Sequence, residues 1–203
     1  MSSETGSDRR SREILRAACT CLSERGYAST TISEIAAQAG VSRGLLHYYF
    51  KNKEELLAEA VRINGEASLR QIADIFARSE SLPDLASGLT SILRSMITGA
   101  PTFLNLGLEC WAVCRESQVI ADELRRLYDQ ARGAFQKGLE EAVERGVIDP
   151  GIPPDGLAAL LVGVTDGLAL QFLLKPELAA EERTWEAVEM AATALLRGNE
   201  STS

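Results

Sequence analysis

Residues 31–56 read TISEIAAQAGVSRGLLHYYFKNKEEL. Ile32, Ile35, Ala36 and Ala39 recur at i, i+3, i+4 and i+7, the period of an amphipathic helix. Thr31 and Glu34 have capping-box spacing at its start. Gly40 fits its end, where glycine reaches the left-handed conformation cheaply. Ser42 can cap a second helix carrying Leu45, Leu46, Tyr49 and Phe50. Two short helices across a glycine turn predict a helix-turn-helix, whose second helix enters the DNA major groove.

Working outward, the preceding segment predicts a helix from about Arg9 to Arg25, closed by Gly26, with Ile14, Leu15, Ala18, Cys19 and Leu22 as its apolar stripe. Arg9, Arg10 and Arg12 lead into it, either as phosphate contacts or as a solvated basic tail. Downstream, Asn52 and Glu55 cap a long helix running to about Arg78. Pro83 marks the first turn of the next helix. A break at 98–101 precedes an apolar helix through Phe103 and Trp111, and a long amphipathic helix spans about 118–145. Residues 157–174 are apolar all round, which predicts a helix buried on both sides. The run touches the lower length limit for a membrane span, but Asp166, Thr165, Gln171 and the missing Lys/Arg flanks argue against one. With a last helix at about 182–196, it predicts a two-fold dimer closed by a four-helix bundle, Gly163, Gly167 and Ala169 allowing close approach.

The fold class expected is all-α: a three-helix DNA-binding head at 9–51 and a helical effector-binding and dimerisation domain at 52–198. Composition agrees, with 45% apolar and only 5% aromatic residues among 203. The net charge of −8 is uneven. Residues 1–55 carry eight basic against seven acidic groups, so the acidity lies outside the head and limits non-specific adhesion to DNA. The polar N-terminus lacks a signal peptide, so a reducing cytoplasm is expected, with Cys19, Cys21, Cys110 and Cys114 as small hydrophobes. The one histidine, His47, is remote from those thiols, so no metal site or cofactor is expected.

The run T-x-x-x-I-A-x-x-A-G-V-S-x-G-x-L, continued by HYYFKNKEEL, resembles the DNA-binding head of the tetracycline-repressor (TetR) family over roughly residues 10–57. The segment LGLECWAVCRE is similar to the choline-responsive, BetI-like branch. The resemblance implies a homodimeric one-component repressor, paired through its last two helices. It would leave a palindromic double-stranded operator when a small molecule binds its body. His47 stands where many members have tyrosine and Tyr49 where many have histidine, so no relative's operator transfers.

On the reading helix, Ser42 and Arg43 are the leading DNA candidates, Arg43 because a guanidinium pairs bidentately with guanine. Gly44 either allows close approach to DNA or packs on the preceding helix. Leu45 either meets a thymine methyl or packs in the head. His47 and Tyr48 are the next exposed positions, and Tyr49 offers a hydroxyl to phosphate. Thr31 is a cap first and a phosphate contact second. Lys53 matches the family's phosphate-binding lysine. Ligand-site candidates in the body are Met96, Phe103, Glu109, Trp111, Phe135 and Phe172, with Trp111 and Glu109 suited together to a cation. Asp166 is costly if buried unpaired, so it is expected to bond across the dimer or to cap a broken turn, a structural duty.

An enzyme lacks materials here: there is one histidine, sited in the reading helix, with no glycine-rich phosphate loop and no nucleophile–base set. The remaining alternative is a helical DNA-binding adaptor or activator without small-molecule control.

Overall fold

Glycine, proline and side-chain caps cut the chain where the sequence predicts. The computed structural model describes residues 6–98 and 102–198. Among them run α1 (Gly6–Ser29), α2 (Ile32–Gln38), α3 (Arg43–Tyr49), α4 (Lys53–Arg78) and α5 (Leu82–Thr98). They are followed by α6 (Thr102–Val113), α7 (Gln118–Glu144), α8 (Pro154–Leu174), α9 (Pro176–Ala180) and α10 (Glu182–Arg197). No strand occurs among the described residues, so the all-α expectation holds.

The Thr31–Glu34 capping box is complete, each residue serving the other's backbone N–H. Ser42 accepts from the Leu45 N–H at 3.1 Å. Asn52 accepts from the Glu55 N–H at 2.8 Å, while the Glu55 carboxylate takes the N–H of Lys51, one residue earlier than a capping box would. Such caps are each worth about 1 kcal/mol. Gly26 breaks α1, with φ +79° and ψ 163° at a kink where two helical stretches meet. The short α9 was not anticipated; Pro176 opens it and its five residues are too few to carry a helical period.

The chain divides into two compact units. One unit holds α1, α2, α3, α4 through Gly65, α6, and α7 through Leu127. Its core gathers Ile14, Ala18 and Leu22 of α1 with Ile35, Leu46, Leu56, Leu57 and Val61, all fully buried or nearly so. α6 packs along α1, so the head's unit includes a helix drawn from more than forty residues downstream.

The other unit holds the remainder of α4 and α7 with α5, α8, α9 and α10. It has two buried apolar clusters. The first centres on Phe76, Leu85, Leu139, Leu157 and Leu196. The second joins Leu93, Phe172, Ala179 and Trp185. α4 and α7 meet closely at Gly138, where any Cβ would overlap the Phe76 ring. The Arg145 guanidinium closes the end of α4, donating to the carbonyls of Phe76, Ala77 and Ser79. Arg94 forks onto Glu182 at 2.8 and 2.7 Å, tying α5 to α10.

α8 is apolar all round, but only one side of it is buried within the chain. Leu157, Ala158, Val162 and Phe172 face the core. Leu160, Val164, Leu170 and Leu174 are exposed, Leu174 at 72%. Gly163 and Gly167 lie on the same exposed stripe, while Ala169 is half-buried. α8 is the one helix among the described residues long and apolar enough to cross a membrane, with mean hydropathy 1.9. Asp166 accepts from the hydroxyl of Tyr128 on α7, within its own unit.

All four cysteines are free. Cys21 and Cys110 are buried, and burial pushes the Cys110 thiol up to about 12. Among the described residues no cluster of potential metal ligands occurs.

Candidate nucleic-acid interface

α3 anchors itself by one face and offers the other. Leu46 is fully buried, and Phe50, just beyond the helix, is nearly so. Ser42, Arg43, Gly44, Leu45, His47 and Tyr48 are exposed, Tyr48 at 79%. The structure therefore brings together on one surface six of the residues expected to read DNA. A Cβ at Gly44 would meet only the Ser42 hydroxyl, at 4.0 Å, so packing against α2 is not what keeps this position small. Leu45 likewise turns out of the head rather than into it. The Arg43 Nε faces His47 Nε2 at 3.5 Å, one helical turn apart. Tyr49 is half-buried, its ring edge-on to Tyr48 at 5.2 Å and its hydroxyl 3.4 Å from that of Ser7.

The two remaining candidates are occupied within the protein. The Thr31 hydroxyl serves Glu34, accepting from its N–H at 3.2 Å and donating to its carboxylate at 2.8 Å. These bonds hold the Glu34 carboxyl below the ordinary glutamate range, the Thr31 backbone N–H contributing most. Lys53 points inward: its ammonium donates to the carbonyls of Tyr27 and Thr30, the latter at 2.8 Å, and sits 4.1 Å from the Tyr27 ring centre. Desolvation lowers its pKa, and the carboxylates of Glu109 and Glu34 oppose that shift.

Glu109 was expected in a ligand site; its carboxylate is engaged within the head's unit. It accepts from the Tyr27 N–H at 2.7 Å, just past the α1 break, and Lys53 donates to the carbonyl of that same residue. Asn105, one turn earlier on α6, donates to the Ser23 carbonyl at 3.3 Å. The kink at Gly26 frees backbone groups that a straight helix would have paired, and α6 and Lys53 take them up. Motif reading missed this role for Asn105 and Glu109. The legible clue was a lone carboxylate within the otherwise apolar LGLECWAV.

Of the other ligand candidates, Trp111 is exposed and belongs with Glu109 to the head's unit. Met96 is half-buried in the other unit, where Phe135 and Phe172 sit in separate clusters. The Phe103 side chain lies outside the described residues.

Two family models match the chain, and one of them spans the capped helix-turn-helix with its outward reading face. Residues 14–60 fit the bacterial regulatory proteins of the tetR family, and residues 86–197 fit the C-terminal domain of BetI-type transcriptional repressors. The chain belongs to the tetR family. BetI 2 of Chromohalobacter salexigens, an HTH-type transcriptional regulator, is 31% identical over 83% of this chain and 79% of its own. The structure of Salmonella enterica GusR superposes with a TM-score of 0.80 at 22% identity, covering 96% of this chain and 99% of that one. FadR of Bacillus subtilis, solved in complex with stearoyl-CoA, gives 0.75 at 19% identity over 90% and 97%. As a tetR-family member this protein is a DNA-binding transcriptional regulator and not an enzyme. Its α2–α3 unit is the family's DNA-binding helix-turn-helix.

Proposed function

We propose that this chain is a homodimeric repressor that grips a palindromic operator through α3 and releases it when a small molecule binds the helical body. The observation that carries the DNA contact is the exposed α3 face, with Arg43 and His47 side by side and Ser42 at the helix N-terminus. In this reading Arg43 and His47 read base edges, Leu45 and Gly44 permit close approach, Ser42, Tyr48 and Tyr49 address phosphates, and Thr31 serves as the cap that holds α2. Lys53 acts mainly by holding the end of α1, with phosphate attraction a secondary effect of its charge.

Pairing is supported by α8. A contiguous apolar stripe of Leu160, Val164, Leu170 and Leu174, lined with Gly163 and Gly167, needs a cover. A second copy supplies it by two-fold symmetry, with Met190 and the open 730 Å³ groove along α10 in the same contact. Dimer symmetry would then place two α3 helices about 34–36 Å apart, one turn of B-DNA. Repression follows the BetI-type description of the C-terminal match, and effector control is supported by the stearoyl-CoA bound to FadR. A cytoplasmic regulator with no cofactor and no membrane attachment fits this scheme.

The test is binding of the full-length protein to DNA fragments from upstream of its own gene. A sequence-selective complex that weakens steeply with salt is expected. Absence of selectivity over all fragments sinks the reading.

A further inference from the structure

Arginines on several helices of this protein are met by a carboxylate three residues away. Arg62 and Arg126 fork onto Glu59 and Glu123, and Arg125 and Arg132 pair with Asp122 and Asp129. Arg43 is met instead by a histidine one turn on: its Nε–H is directed at His47 Nε2, 3.5 Å away. Both side chains are exposed, and among the described residues no carboxylate pairs with either. No acidic residue occurs between Glu34 and Glu54, so the reading helix and its flanks hold no anion. The charged groups of the neighbouring elements are occupied elsewhere. Glu34 of α2 serves Thr31 and Arg25, Glu55 of α4 takes the Lys51 N–H, and Lys53 donates to the carbonyls of Tyr27 and Thr30. The cations nearest His47 in the chain are Arg43 and Lys51, four residues to either side.

A neutral imidazole with its proton on Nδ1 offers Nε2 as an acceptor and adds no charge. A carboxylate at this position would hold the guanidinium more firmly, but it would also neutralise it and repel phosphates. Engaging Nε leaves the fork of Nη1 and Nη2 for a bidentate contact to guanine. Protonation turns Nε2 into a donor, so the acceptor is lost and two like charges stand one helical turn apart. Histidine is the side chain whose charge ordinarily changes between pH 5 and 8, and His47 is the only one in the chain.

We propose that His47 is a positioning residue that acts through Arg43. Its neutral form fixes the guanidinium on one base pair, and its protonation releases that preference, so the protein reads DNA selectively at neutral to alkaline pH and less selectively in acid. The protonated ring adds a cation on the DNA-facing surface, so total affinity for duplex does not fall with the loss of discrimination. The inference rests on the reading that α3 enters the major groove, and goes beyond it in making the preference of Arg43 depend on the charge of its neighbour.

The test uses the full-length protein and a pool of random-sequence duplexes, from which bound DNA is selected and sequenced at about pH 8 and about pH 5.5. The wild type is expected to enrich a motif at the higher pH and to lose about tenfold of its preference at one base pair at the lower. Unselected duplexes should bind at least as well in acid, which marks the loss as one of discrimination and not of folding. Arg43→Ala and His47→Ala should each relax that same base pair at both pH values, and the double variant should relax it no further than Arg43→Ala alone. His47→Gln keeps an acceptor oxygen that does not titrate, so its preference should hold at both pH values. Full preference in His47→Ala, relaxation at a different base pair from that of Arg43→Ala, additive losses in the double variant, or an acid loss in His47→Gln equal to that of the wild type overturns the assignment and leaves the operator reading in place. A pool with no enriched motif at either pH overturns the operator reading itself, and this inference with it.

Discussion

At the residue scale, specificity and stability are carried by different side chains of the head. Arg43 is exposed and unencumbered by packing, so Arg43→Ala should relax sequence preference at one operator position, by about 1–3 kcal/mol, with little loss of stability. Competition binding with single-base operator variants reads this out. Glu109 acts inside the protein: Glu109→Ala leaves the Tyr27 N–H without its acceptor, a loss of about 1–3 kcal/mol in urea unfolding. Glu109→Gln keeps an acceptor oxygen and should recover part of that loss. Glu34 gives the head an acid limb. Folding favours its ionised form, so its contribution is complete above the ordinary glutamate range and is lost as pH falls through the lowered folded value. Glu34→Gln should therefore flatten the decline of thermal midpoint with acidification. Much of the reading face was legible because α3 is a local motif whose buried and exposed positions follow from period alone. Glu109 and Lys53 were not, since their partners lie 82 and 23–26 residues away and depend on a break that a glycine permits but does not announce.

At the element scale, helices were legible to within a few residues because each carries its own stop: Gly40 after α2, Asn52 before α4, Gly146 after α7. What the period could not tell was which helix lies on which. α6 reads as a body helix by its place in the chain, yet it packs on α1, and only tertiary pairing decides that. The α4–α7 contact offers a paired test of close packing. Gly138→Leu drives a side chain into the Phe76 ring and should destabilise by about 1–3 kcal/mol or more. Gly133→Ala, five residues earlier on an exposed face with no atom near the added carbon, should stabilise by about 0.5–1 kcal/mol. Urea midpoints of the two variants, measured side by side, should move in opposite directions.

At the scale of the whole molecule, the single chain leaves α8 half covered. Val164→Asp places a charge on the exposed stripe without touching the buried face, and should leave the helical content unchanged while converting the proposed dimer to monomers. Light scattering after gel filtration measures the mass; operator affinity should fall in step, since one reading helix holds only half a site. The sequence made the apolar run obvious and left its cover open, because an all-round apolar helix is equally consistent with a core, a partner or a lipid. The same run has a history before the protein is complete. A nascent chain presents residues 154–174 to solvent before α10 has been synthesised, and in that state the segment has the length and hydropathy of a membrane anchor. Asp166 sits near its middle, where a carboxylate costs a translocating helix about 2.5–3.5 kcal/mol. That half-buried carboxylate therefore counts against membrane insertion of the unfinished chain. An Asp166→Leu chain, expressed in a living cell and fractionated, should leave part of its material in the membrane pellet.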